Sequence, residues 1–200
     1  MKLYHKLIHK LYLVASTFVI VALSSCNGTI DNNYPYPTTF SLKTFTTNDW
    51  DYWNLYMGDT TGYIKTNTAN DWDYWNFNIN GSNGTIKTWT TQDWDYWEIY
   101  ENSINTIDIK TWTANDFDYW EIYESGVNTF DIKTWTANDF DHWEVYQNGN
   151  NIFDIRTFTS NDWDYWQIDS NISTFSLSRI VAILFIPIYT SAIHIQGIDQ

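Results

Sequence analysis

Beyond residue 10, every positive charge in this chain falls at one phase of one repeat. The residues are Lys43, Lys65, Lys87, Lys110, Lys133, Arg156 and Arg179, separated by 22, 22, 23, 23, 23 and 23 positions. A fixed period of this size implies small supersecondary units that bury their apolar faces only against their neighbours. A second series runs in step with the first: "NDWDYW", "NDWDYW", "QDWDYW", "NDFDYW", "NDFDHW" and "NDWDYW". The fold is therefore an array, and the question is what one unit looks like.

The unit reads as a β-hairpin. In "IDIKTWTANDFDYWEIY", residues 107–123, Ile, Thr, Trp and Tyr dominate and proline is absent, which favours strands. Asn115-Asp116 supplies turn chemistry, since both side chains bond nearby backbone and tolerate left-handed φ. A two-residue loop there sets Trp112 opposite Tyr119, Thr111 opposite Trp120, Lys110 opposite Glu121 and Ile109 opposite Ile122. A slip of one residue would set Lys110 against Trp120 and destroy these pairings. One face then carries Ile107, Ile109, Thr111, Trp120 and Ile122 as a dry core. The other carries Asp108, Lys110, Trp112, Phe117, Tyr119, Glu121 and Tyr123. The second turn lies in "MGDTTG", "INGSNG", "ENSIN", "ESGVN" and "QNGNN", and the one-residue variation in period is expected there, in surface loops.

The expected fold class is all-β: tandem antiparallel β-hairpin repeats, about six plus a C-terminal capping pair, in one extended, curled or closed sheet. About fourteen strands follow, and sheets that wide usually curl or close. "RIVAILFIPIYTSAI" is shorter than the ~20 apolar residues of a membrane helix and is interrupted by Pro187. With Arg179 in phase, residues 178–196 are predicted to be capping strands of a degenerate seventh repeat.

The other end carries a different signal. Lys2, His5, Lys6, His9 and Lys10 precede an apolar run from Leu11 to Leu23 that ends in "LSSC", the layout of a secretory signal. This segment resembles the signal and lipobox of bacterial lipoproteins. The resemblance implies cleavage after Ser25, a lipidated Cys26 and an anchor in the bacterial outer membrane or at the cell surface. The expected organisation is a signal peptide over 1–25, lipidated Cys and tether over 26–38, the six-repeat array over 39–177 and the cap over 178–200. Cys26 is the sole cysteine, so no disulfide is expected.

Charge narrows the partners. The chain has 10 basic and 24 acidic residues; without Lys2, Lys6 and Lys10 the balance is seven against 24, a net charge of −17. Nucleic acid is excluded as a partner on this ground. The pairs Asp49/Asp51, Asp71/Asp73, Asp93/Asp95, Asp116/Asp118, Asp139/Asp141 and Asp162/Asp164 could supply oxygen ligands to calcium, the one cofactor candidate. In the competing reading, the first aspartate bonds the loop and the second is solvated at the strand start. Catalysis is not expected, because an active site breaks symmetry and these motifs preserve it. His142 and His194 are the only histidines after residue 9, and no triad or phosphate-binding loop is present.

The aromatics are the other candidate. Thirteen Trp and 15 Tyr offer flat platforms of the kind that suit sugar rings, with cross-strand packing as the plainer use. The expected ligand-binding face is Trp89, Trp112 and Trp135 with Tyr96 and Tyr119, and its side chains are predicted to be exposed. The hairpin period is similar to that of MORN repeats, and the aromatic content resembles choline-binding repeats of surface proteins; both families' glycine patterns are absent, so no residue roles carry over. The reading is a non-catalytic cell-envelope lipoprotein that binds or adheres, with glycans or another envelope protein as partner. The alternative is a structural envelope scaffold stabilised by calcium at the D-x-D turns.

Overall fold

A computed structural model describes residues 40–198. Twelve strands follow one another: β1 (Phe40–Thr44), β2 (Tyr52–Met57), β3 (Thr60–Thr66), β4 (Tyr74–Ile79), β5 (Ser82–Thr88), β6 (Tyr96–Glu101), β7 (Ile104–Thr111), β8 (Tyr119–Glu124), β9 (Val127–Thr134), β10 (His142–Gln147), β11 (Asn150–Thr157) and β12 (Tyr165–Ile168). Each pairs antiparallel with its sequence neighbours, and β1 pairs with β12, closing a barrel. Closure removes both sheet edges. All D-x-D loops lie at one end of the barrel, and the short turns lie at the other.

The hairpin register is the expected one. Lys110 faces Glu121, Ile109 faces Ile122 and Thr111 faces Trp120. The loop itself differs, because β7 ends at Thr111 and β8 starts at Tyr119, leaving seven loop residues rather than two. Within it Asn115 has φ 62° and the Asp116 amide donates to the Thr113 carbonyl at 2.8 Å. Phe117, expected on the outer face, instead packs against the core, because the longer loop frees it from strand alternation.

The extra residue of the 23-residue repeats is not in the turns either. Register shifts occur after Ile99, Ile122 and Val145, and the β2–β3 and β4–β5 pairs have none. The insertion is a β-bulge at Thr106, Thr129 and Ile152. The bulged threonines return a hydrogen bond to the strand, to the carbonyls of Ile99 (3.2 Å) and Ile122 (3.1 Å). The turns stay at two residues; Asn80-Gly81, Ser125-Gly126 and Asn148-Gly149 have positive φ at both positions, as a type I′ turn needs.

The predicted dry face is the barrel lumen. Trp53, Trp75, Trp97, Trp120, Trp143 and Trp166 point inward with at most 1% exposure, and Ile107, Ile109 and Ile122 join them. Side chains fill a barrel of about eight strands, whereas twelve leave a wider lumen. Here a helix fills it, which corrects the expectation of capping strands at 178–196 and reduces about fourteen strands to twelve. After a 3₁₀ turn (Ile172–Thr174) the chain forms α1 (Leu177–Pro187), continued by a π-helical segment (Ile188–His194). Eighteen helical residues span ~27 Å, enough to run the length of a barrel of this height. The stretch Leu177–His194 is long and apolar enough to cross a membrane, but 83% of it is buried inside the protein. A helix apolar on all sides belongs in an interior. Pro187 does not prevent the helix: it closes α1 where the π-helical segment takes over.

Arg179 is therefore in phase with the lysines without sharing their role. It rises from α1 and binds Glu124 through two bonds, 2.5 and 2.7 Å, while Ser178 bonds Glu101 and Thr106. At the far end Tyr189 lies against Trp94 and Trp97, and His194 lies on Phe117. Five of the lumen tryptophans donate from Nε1 to the carbonyl three residues earlier. The sixth, Trp143, donates instead to Ser191 Oγ, which passes the bond on to the Phe140 carbonyl. This relay fixes the helix against one repeat of a near-symmetric wall.

Candidate ligand-binding surface

The outer wall carries the polar face of every hairpin. Its upper ring, beside the D-x-D loops, consists of Phe45, Trp89, Trp112, Trp135 and Phe158, all 57–63% exposed. Each ring lies on the one opposite: Trp89 on Tyr96 (5.2 Å, 2°), Trp112 on Tyr119 (5.4 Å, 9°) and Trp135 on His142 (5.4 Å, 24°). Phe45–Tyr52 and Phe158–Tyr165 repeat the stack. Tyr96 and Tyr119 back one face of Trp89 and Trp112, His142 backs Trp135, and each tryptophan stays largely exposed to solvent. Trp89, Trp112 and Trp135 are exposed as expected, whereas Tyr96 and Tyr119, expected to be exposed with them, are half-buried because Trp89 and Trp112 lie on their rings.

Below this ring the lysines lie over tyrosine faces: Lys87 over Tyr100 (4.4 Å), Lys110 over Tyr96 (4.3 Å) and Lys133 over Tyr146 (4.1 Å). Three copies of one polar network follow. Tyr100 donates to Glu98, and Asn105 bridges Glu98 and Asp108. Tyr123, Glu121, Asn128 and Asp131 form the second copy, and Tyr146, Glu144, Asn151 and Asp154 the third. The carboxylates disfavour phenolate. Burial, with Asp108 alongside, pushes the Tyr96 phenol up to about 12. The bond to Glu121 does the same for Tyr123, and burial with the bond to Glu144 for Tyr146.

The second aspartates of the D-x-D pairs are not free in solvent at the strand start. Asp51, Asp73, Asp95 and Asp118 each accept from a threonine hydroxyl and a loop amide of the next repeat, as in Thr111 (2.8 Å) and Asn115 (2.7 Å) on Asp95. Asp141 takes Ser160, the Asn161 amide and Trp163 Nε1. Asp164 takes Thr44 (2.6 Å) and the Asn48 amide (2.9 Å), joining the last repeat to the first. The first aspartates hold the loop through their backbone, as Asp116 does with Thr113 and Tyr119. Among the described residues no three His, Cys, Asp or Glu side chains converge as a metal site requires. Cys26 lies outside the described residues.

One place breaks the pattern. Asn67 stands where the other repeats have Phe45, Trp89, Trp112, Trp135 and Phe158, so Tyr74 has no ring stacked on it among the described residues. Thr85 stands where repeats four to six have Asp108, Asp131 and Asp154. At Thr85 the wall sinks into a groove of ≈ 900 Å³ along β5, from Trp89 and Thr90 at the loops to Asn102 and Ser103 at the lower turn. Sequence reasoning missed it, although comparing the repeats column by column would have singled out Thr85. Comparison with known protein families, curated proteins and solved structures finds no match for this chain.

Proposed function

We propose that this protein is a non-catalytic binding module of the bacterial cell envelope, exported and lipid-anchored through Cys26, that takes glycans on its aromatic outer wall. The observation that supports it is the row of exposed tryptophans, Trp89 and Trp112 each flat on a tyrosine and Trp135 on His142. Such a ring, already fixed in orientation, loses little conformational freedom when a sugar stacks on it. A glycan array probed with the protein tests the reading, and Trp89→Ala combined with Trp112→Ala and Trp135→Ala should weaken retention. Absence of any retained glycan would refute it.

The scaffold alternative has its own support. The six D-x-D loops bring twelve aspartates to one end of the barrel, and the clasps satisfy their second members with neutral donors. Cations gathering there would relieve the repulsion. A chelator should then lower the melting temperature, and an unchanged melt removes calcium from the account.

A further inference from the structure

We infer that the groove along β5 is a cleft for one neutral oligosaccharide chain lying parallel to the strand. This inference rests on the glycan reading and adds where the chain lies and what selects it. The groove's walls are Tyr74 from β4 and Tyr100 from β6, its floor includes Thr85, and Trp89 closes its upper end. A volume of ≈ 900 Å³ is at the upper end of the range of small-ligand sites, ~300–1,000 Å³, and its length along a strand calls for an extended occupant.

Charge and backbone identify that occupant. Asp73 already accepts from Thr88 (3.0 Å) and the Gln92 amide (2.8 Å). The Lys87 ammonium is 4.4 Å from the centre of the Tyr100 ring and 4.0 Å from Glu98. Both charges in the groove are thus engaged, and the protein's excess of acidic groups repels anionic chains. A peptide that binds by adding a strand needs a free sheet edge, and a closed barrel offers none. What remains are hydroxyls and amides from Thr85, Thr90, Asn102 and Ser103 beside an aromatic plane, which match a neutral chain of pyranose rings.

The symmetry of the barrel supplies the decisive variant. Thr85→Asp restores the residue that Asp108, Asp131 and Asp154 show the fold accepts, while placing a charged side chain in the groove. The full-length protein is tested against hexasaccharides of glucose, mannose, galactose and xylose by change in tryptophan fluorescence. At least one should bind; Thr85→Asp and Trp89→Ala should each weaken it about tenfold or more, and Trp112→Ala by less than about threefold, as expected when one anchor covered by the ligand dominates. Equal losses for Trp89→Ala and Trp112→Ala, with Thr85→Asp unchanged, would overturn the groove and leave the general aromatic row standing. If none of the four sugars binds, the groove inference falls, while the general glycan reading is decided by the array.

Discussion

Small departures from the repeat identify which side chains carry stability. Ile152 occupies the third bulge, where Thr106 and Thr129 bond back to the strand, and it has no hydroxyl with which to do so. Ile152→Thr keeps the β-branch and offers that bond to the Val145 carbonyl, so it should stabilise by about 0.5–1 kcal/mol, seen as a higher urea midpoint. A second prediction concerns the tyrosines of the outer wall. Their folded pKa is pushed up to about 12 from an ordinary value of 10.0, so above pH 10 the native state holds protons that the unfolded chain gives up. Their contribution is whole below pH 10 and is lost as the pH rises through 12. The melting temperature should fall across that window, and replacing Tyr96, Tyr123 and Tyr146 by Phe should flatten the slope.

Among the elements, the helix and the upper aromatic ring make a direct contrast. Phe185 of α1 packs edge-on against Trp75 (5.4 Å) and Trp97 (4.8 Å), whereas Phe158 on the outer wall is 58% exposed. Phe185→Ala should destabilise by about 3–5 kcal/mol, since it opens a cavity among fixed indoles. Phe158→Ala should stay within about 0.5 kcal/mol. Chemical denaturation of the two variants checks both, and equal effects would mean that the helix does not hold the lumen as described. The helix is also where sequence reading failed. An apolar run gives no period by which to tell a buried helix from strands, and the phase of Arg179 pointed the wrong way.

For the whole molecule, the seam decides integrity. Every neighbouring pair of repeats is clasped by the second aspartate of a D-x-D pair, but five clasps join consecutive units and only Asp164 joins the last to the first. Asp164→Ala leaves the other five contacts intact and removes two bonds to an anion at the one long-range closure. Hydrogen exchange should then speed up first in β1 and β12, with the middle strands unchanged. Uniform acceleration around the barrel would show that closure does not depend on this clasp. The same ring explains why the D-x-D motif recurs in every unit: each copy secures the next.

The sequence alone determined the unit: the 22–23-residue period, the hairpin register from Lys110–Glu121 and Ile109–Ile122, the inward tryptophans and the exposed Trp89, Trp112 and Trp135. These are local, set by side-chain alternation and by pairs a few residues apart. Closure into twelve strands, the partner of each second aspartate, the lumen helix and the β5 groove were decided only in the tertiary structure. Each depends on distance in space between residues far apart in the chain, such as Asp164 with Thr44 or Phe185 with Trp75. A repeat shows what one unit is, but its number of copies and twist set the lumen's width, and that width decides whether the last segment extends the sheet or fills it.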